Sequence, residues 1–275
     1  MKSLFAACIL GLAANIACAG VVFETVIRDS KSGKSESAER WYAQDGNARI
    51  EGADGISIFR DGAVYALDPS DRSYHVMDKA TMEQLSARVK QKRAEGRAQM
   101  QAELSKLPPE KRAAAEAKLA QQGLGPEGLP RQQVDARDTG KAESINGRPC
   151  HVWDIVRDGA LDEQFCVAPF ASLPGGDEIQ ALMRSYEGFF EQMAELMSGP
   201  VGSGARDTMR DEFALWKKLD GFPLATRGYA HGVLEDSETV VATWKSKTVP
   251  AAMFDVPSNY TKRDLIKDLE TASGK

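Results

Sequence analysis

From residue 21 onward, hydrophobic and polar positions alternate with a period close to two. Segments 21–28, 38–43, 48–51, 56–60, 63–67 and 72–77 carry the Val, Ile, Phe, Tyr and Trp that strands favour. Asp45-Gly46, Asp54-Gly55, Asp61-Gly62 and Asp68-Pro69 lie between them. Asp-Gly is a strong hairpin signal, because both residues tolerate the left-handed backbone of a tight turn. The pattern predicts an antiparallel meander, which must cover one face or curl on itself to bury it.

At residue 79 the period changes. Met82, Leu85 and Val89, then Met100, Leu104 and Leu107, recur at helical spacing, and Pro108-Pro109 ends one helix and starts another that stops at Gly123. The predicted helical insertion is 79–122, followed by a linker over 123–138 that is Gly/Pro-rich to residue 130. The insertion holds ten Lys/Arg and five Glu. It reads as a solvated helical face, or as a docking surface for anionic lipid headgroups or an acidic partner.

Strands resume at 140–145, 150–156 and 161–167. Asp177 and Gln180 make a capping-box-like start to the next helix. Ile179, Leu182, Met183, Tyr186, Phe189, Phe190, Met193, Leu196 and Met197 then form one apolar stripe of period 3.6. Gly199-Pro200 stops it. A further helix over 206–219 precedes strands at 222–230 and 239–245. Phe254, Pro257 and Tyr260 are expected to close the sheet, and 262–275 to be a short polar helix that frays.

Composition narrows the classes. With 42% hydrophobic and 27% charged residues of mixed sign, the 275-residue chain is not disordered as a whole. Its net charge of −5 argues against a dedicated nucleic-acid binder. Lys2, the uncharged run 4–14 and Ala17-Cys18-Ala19 before Gly20 read as a secretory signal peptide over 1–19, cleaved after Ala19. The mature protein is then expected to be exported and periplasmic. The rival reading, a lipoprotein anchored at Cys18, needs a Leu three positions upstream, where Asn15 stands.

Export leaves Cys150 and Cys166 as an even pair in an oxidising compartment, spaced neither as a redox motif nor as a zinc knuckle. A three-residue loop centred on Asp158, with Gly159 left-handed, would set them directly opposite one another. A cross-strand disulfide is predicted.

Candidate chemistry is sparse. His75, His151 and His231 form no HxxxH, HxH or HExxH pattern. Gly202-Ser203-Gly204 precedes a helix rather than following a strand, unlike a nucleophile elbow. No phosphate-binding loop occurs, and the carboxylates single out no pair. No catalytic, cofactor-binding or metal-ligating residue is assigned, and a non-enzymatic protein is expected.

The order of elements carries a resemblance. The meander holds Ile58-Phe59-Arg60-Asp61-Gly62 and Tyr65-Ala66-Leu67-Asp68-Pro69. The helices carry Leu107-Pro108-Pro109-Glu110-Lys111-Arg112. Gly147-Arg148-Pro149-Cys150, Glu163-Gln164-Phe165-Cys166-Val167, Gly221-Phe222-Pro223-Leu224 and 249–257 follow. This order resembles a family of exported Gram-negative proteins that is similar in organisation to the periplasmic lipoprotein carriers and receptors (LolA/LolB-like). The resemblance implies an α+β fold over 20–261, a single domain. It would be a strongly curved antiparallel sheet, an incomplete β-barrel, with helices covering its open side and a cavity for acyl chains.

The expected function is binding of a lipid or other amphiphile, with a membrane surface or envelope protein as further partner and no nucleic acid. Met and Phe on the stripe can repack around a flexible chain. The expected cavity residues are Ile179, Leu182, Met183, Tyr186, Phe189, Phe190 and Met193 from the helix, with Trp41 and Trp153 from the sheet. The alternative is an envelope-stress or protein-interaction module that works through the basic helices and has no ligand cavity.

Overall fold

Val21 and Phe23 lie fully buried on one side of the first strand, β1 (Val21–Asp29), as the two-residue period requires. The computed structural model describes residues 20–29, 31–121, 131–197 and 203–273, so the expected signal peptide lies outside the described residues. After β1 come β2 (Ser35–Gln44), β3 (Asn47–Gly52), β4 (Gly55–Arg60), β5 (Ala63–Asp68) and β6 (Ser73–Met77), each antiparallel to the one before. Asp45-Gly46 and Asp61-Gly62 turn with positive φ at both residues, 54° and 72°, then 53° and 71°. That is the two-residue geometry whose twist matches the strands it joins. One turn is displaced from expectation: Ala53 and Asp54 make it, and Gly55 already pairs with Gly52.

Asp78 caps α1 (Lys79–Ser105) by accepting the Thr81 N–H at 2.8 Å. Helix α2 (Pro109–Gln121) folds back after it. Of α1 only Met82 is buried, so most of this helix stands in solvent.

The chain returns through β7 (Val134–Ile145), β8 (Arg148–Arg157) and β9 (Ala160–Pro169). Strand β7 begins six residues before the sequence pattern placed it, inside the expected linker, because its exposed positions Asp135, Arg137 and Asp138 are polar and masked the alternation. Helices α3 (Gly176–Met197) and α4 (Ser203–Leu219) follow, then β10 (Gly221–Ala230) and β11 (Val233–Ser246).

Among the described residues the strands form one twelve-stranded sheet, open and strongly curved, in an α+β fold. Its order runs from β12 (Thr261–Lys262) through β6, β5, β4, β3, β2, β1, β11, β10, β9 and β8 to β7. The sheet is mixed, because β12 joins β6 in parallel. No helix of the described residues is long and apolar enough to cross a membrane.

The disulfide joins Cys150 to Cys166 with the Cα atoms 5.3 Å apart, but not as the spacing suggested. Asp158 and Gly159, at φ 49° and 83°, form a two-residue turn rather than a three-residue loop. A bulge at Ile155/Val156 shifts the register, so Cys166 opposes Val152 and the bridge runs diagonally. Strand twist shortens one diagonal of a strand pair, which brings the two Cys within reach.

Beside this bridge runs a polar row. Asp154, Gln164, Arg227, Glu238 and Arg28 are register partners across β8, β9, β10, β11 and β1. Partners in an antiparallel pair share a face. Arg28 Nη2 lies 2.6 Å from Glu238 Oε1, Arg227 Nε lies 3.1 Å from its Oε2, and Arg227 Nη2 reaches Glu143 at 2.7 Å. Burial alone would raise the Glu238 carboxyl; the hydrogen bonds from Arg28 and Arg227 outweigh it and hold the carboxyl below its usual range.

The face of β4 and β5 that carries Ile58 and Leu67 is covered by the chain after β11. Val249 and Phe254 bury against those two residues. After residue 262 the chain forms one more short helix. Asp264 caps α5 (Leu265–Ser273) by accepting the Ile266 and Lys267 N–H groups. His75 Nε2 meets Asp268 Oδ2 at 2.8 Å, and Arg88 of α1 pairs with Glu270. A helix with polar partners on two neighbouring elements is docked, which the sequence of the tail alone does not reveal.

Candidate functional site

Three adjacent strands put an aromatic at the same level of one face. Trp41 on β2 and Trp244 on β11 are both register partners of Phe23 on β1. The rings stack at 5.4 Å and 4.8 Å between centroids. Phe222 on β10 meets both Phe23 and Trp244 edge-on, at 5.1 Å and 5.3 Å. Aromatic pairs add about 0.5–1.5 kcal/mol each beyond the area they bury, so this part of the sheet is a stiff floor.

Helix α3 is fastened over that floor at several points. The Glu178 carboxylate accepts the Asp45 backbone N–H at 2.7 Å. At the same turn Gly46 has φ 72° and a Cβ there would sit 2.9 Å from Ser185 Oγ, so a side chain would strain the turn and displace the Ser185 hydroxyl. Tyr186 is 2% exposed, donates its hydroxyl to the Ala63 carbonyl at 3.4 Å, and meets Phe59 edge-on at 5.1 Å. Burial pushes the Tyr186 phenol well above its ordinary range, so it is a protonated donor at every physiological pH.

Helix α4 lies against α3. Phe190 faces Phe213 at 6.2 Å, and Lys217 pairs with Glu187 while sitting 5.1 Å over the Phe213 ring. Between the two helices and the floor is a hollow of about 680 Å³ with a mostly apolar lining. Phe23, Trp41, Ala48, Phe59 and Phe222 line it from the sheet, and Phe213 and Trp216 from α4. The hollow is a groove open to water, since Phe190 on its wall remains 42% exposed. Its size falls within the roughly 300–1,000 Å³ of small-molecule sites.

The structure gathers six of the nine residues singled out from the sequence. Trp41, Ile179, Leu182, Met183, Tyr186 and Phe190 all line the groove. Trp153, Phe189 and Met193 do not. Trp153 pairs with Phe165 on β9 and packs in a cluster with Ile155, Leu215, Leu219 and Trp216. Here α4 fills the space above the sheet, so the strand parity that pointed Trp153 to the covered face led into solid core. Phe189 touches Tyr186 and Phe190 edge-on, at 6.3 Å and 5.9 Å, and Met193 is half-buried. The stripe on α3 is wider than one groove can take up, and α3 also packs against α1.

Sequence reasoning missed Phe23, Phe59, Phe213, Trp216 and Phe222. A signal for the last three existed: Phe213 and Trp216 sit one turn apart on an amphipathic helix, and Phe222 opens the next strand. Nothing local told which face of that helix would meet the groove.

Among the described residues, no group of three or more His, Cys, Asp or Glu is placed to hold a metal ion.

No protein-family model matches the chain. No curated protein matches it in sequence. In overall structure it is similar to an uncharacterized conserved protein from Thermus thermophilus, with a TM-score of 0.42 and 8% identity over 90% of each chain.

Proposed function

We propose that this chain is an exported, periplasmic, non-enzymatic binder of a lipid or other amphiphile, of carrier type. In this reading the curved sheet is a LolA-like half-barrel and α3 with α4 its cover. The observation that carries it is the groove: an apolar, aromatic-floored hollow of about 680 Å³, sheltered by two amphipathic helices yet open at one side. Moving an amphiphile through water requires apolar surface that is shielded when empty and reachable for exchange.

Organic extraction of freshly purified protein, followed by mass spectrometry, tests the reading. Co-purified amphiphile in a stoichiometry near one per chain is the expected result. An empty extract, together with no binding of added single-chain lipid, would overturn it.

A second reading rests on a different feature. Helices α1 and α2 carry a positive excess and bury little, which favours an envelope-protein or membrane contact at that hairpin. Deleting 79–122 should then abolish partner capture while leaving the sheet folded.

A further inference from the structure

The charged residues along the groove are not all committed. Five of its lining residues carry charge: Glu187, Glu191, Arg210, Glu212 and Lys217. Lys217 is taken by Glu187, and Glu212 by Arg157 at 2.9 Å. Glu191 and Arg210 have no ion pair or hydrogen bond among the described residues, and both are exposed.

Their placement follows from how the helices run. Helices α3 and α4 lie antiparallel, with Glu187 opposite Lys217 and Phe190 opposite Phe213. Continuing that register sets Glu191 on α3 level with Phe213 and Arg210 on α4 about one turn further along, so both lie toward the end of the groove away from the Glu187–Lys217 pair. An uncommitted acid and an uncommitted base thus both line the open groove, whose remaining lining is mostly apolar. Two opposite charges left apart in such a groove suit a ligand that brings one of each.

We propose that the groove selects a single-chain zwitterionic amphiphile. Arg210 takes the anionic phosphate of its headgroup, Glu191 takes the ammonium, and the acyl chain lies over Phe23, Trp41 and Phe222. This rests on the amphiphile reading given above and names its ligand class. A guanidinium binds phosphate through parallel N–H donors, which an ammonium side chain cannot reproduce. A carboxylate balances the quaternary or primary amine at the other end of the headgroup. The hollow's size favours one chain over several.

The test uses the full mature chain and three probes with the same palmitoyl-length tail, each below its micelle concentration. They are lysophosphatidylethanolamine, the free fatty acid, and the alkyltrimethylammonium. Tryptophan fluorescence reports binding, since Trp41 and Trp216 line the groove. The zwitterion is expected to bind about tenfold more tightly than either singly charged probe. Arg210→Gln should remove its advantage over the ammonium probe, and Glu191→Gln its advantage over the fatty acid. Both side chains are exposed, so neither change threatens folding. Equal affinity for all three probes, or an unchanged order in both variants, would overturn the headgroup assignment while leaving the groove as an amphiphile site. Failure of every probe to bind would overturn the amphiphile reading itself, and the inference with it.

Discussion

The Glu178 carboxylate accepts the backbone N–H of Asp45 across 2.7 Å, tying the first turn of α3 to the turn between β2 and β3. Glu178 is only 5% exposed. Burial pushes its carboxyl above the ordinary range, against the opposing pull of the Asp45 hydrogen bond. The contact therefore positions a helix at some electrostatic cost. Because the folded pKa is raised, ionisation removes stability as pH climbs from the unfolded value to the folded one. Glu178→Gln keeps an acceptor and sheds the charge, so at pH 7 it should be at least as stable as the parent in urea unfolding. Glu178→Ala leaves the N–H without that partner and should lose about 1 kcal/mol. Equal losses in both variants would show that the carboxylate charge itself is needed.

The diagonal disulfide closes a loop with a sequence separation of 16 residues. Loop-closure entropy puts its contribution at about 3 kcal/mol. Cys150→Ala with Cys166→Ala should shift the guanidinium midpoint downward by a corresponding amount. Reductant should have the same effect on the parent and none on the double variant.

The row through Glu238 makes a prediction with a definite direction in pH. The folded carboxyl is held low, so its contribution is present above the unfolded glutamate value of about 4.3 and is lost as pH falls through the folded value. Glu238→Gln should cost about 1–3 kcal/mol at pH 7, where Arg28 and Arg227 lose their shared acceptor charge. Melting curves of parent and variant should converge as pH is lowered below about 4. A gap that stays constant with pH would mean that packing, not charge, sets the cost.

Groove occupancy should respond to changes inside the lining and not beside it. Met183→Trp fills space between floor and helix, and Phe190→Asp puts a charge on the wall. Both are expected to lower co-purified amphiphile at least about fivefold with little change in far-UV circular dichroism. Phe189→Leu, outside the lining, should leave occupancy near the parent level. A drop for Phe189→Leu equal to the other two would show that the site extends beyond this lining.

Local chemistry made much of this fold readable. Asp45-Gly46, Asp61-Gly62, Asn146-Gly147 and Asp158-Gly159 all turn with positive φ, as their side chains allow. The α3 stripe announced itself by its period, and five of its residues do meet Trp41 at one groove. What escaped was long-range or depended on an uncommon residue. His231-Gly232 makes the turn into β11 at φ 53° and 78°, a role more often given to Asn or Asp, so the start of that strand stayed hidden. The bulge at Ile155/Val156 reset the pairing of two strands without changing their composition. Where α4 would lie decided that Trp153 is core and Trp216 lining, and that depends on its tertiary contacts, which no window of sequence contains.

Strand β1 has β2 on one side and β11 on the other, so the first described strand is flanked by one that ends at Ser246. Two meanders, one from each half of the chain, are sewn together along that single seam. Bringing its sides together means closing a loop of roughly two hundred residues, the sort of step that slows a folding reaction. Until the seam closes, the Phe23 edge stands bare and sticky, and the aromatic floor does not exist. A nascent chain must therefore be kept from its neighbours until β11 has been delivered, and any truncation short of β11 leaves an aggregation-prone half with an open seam.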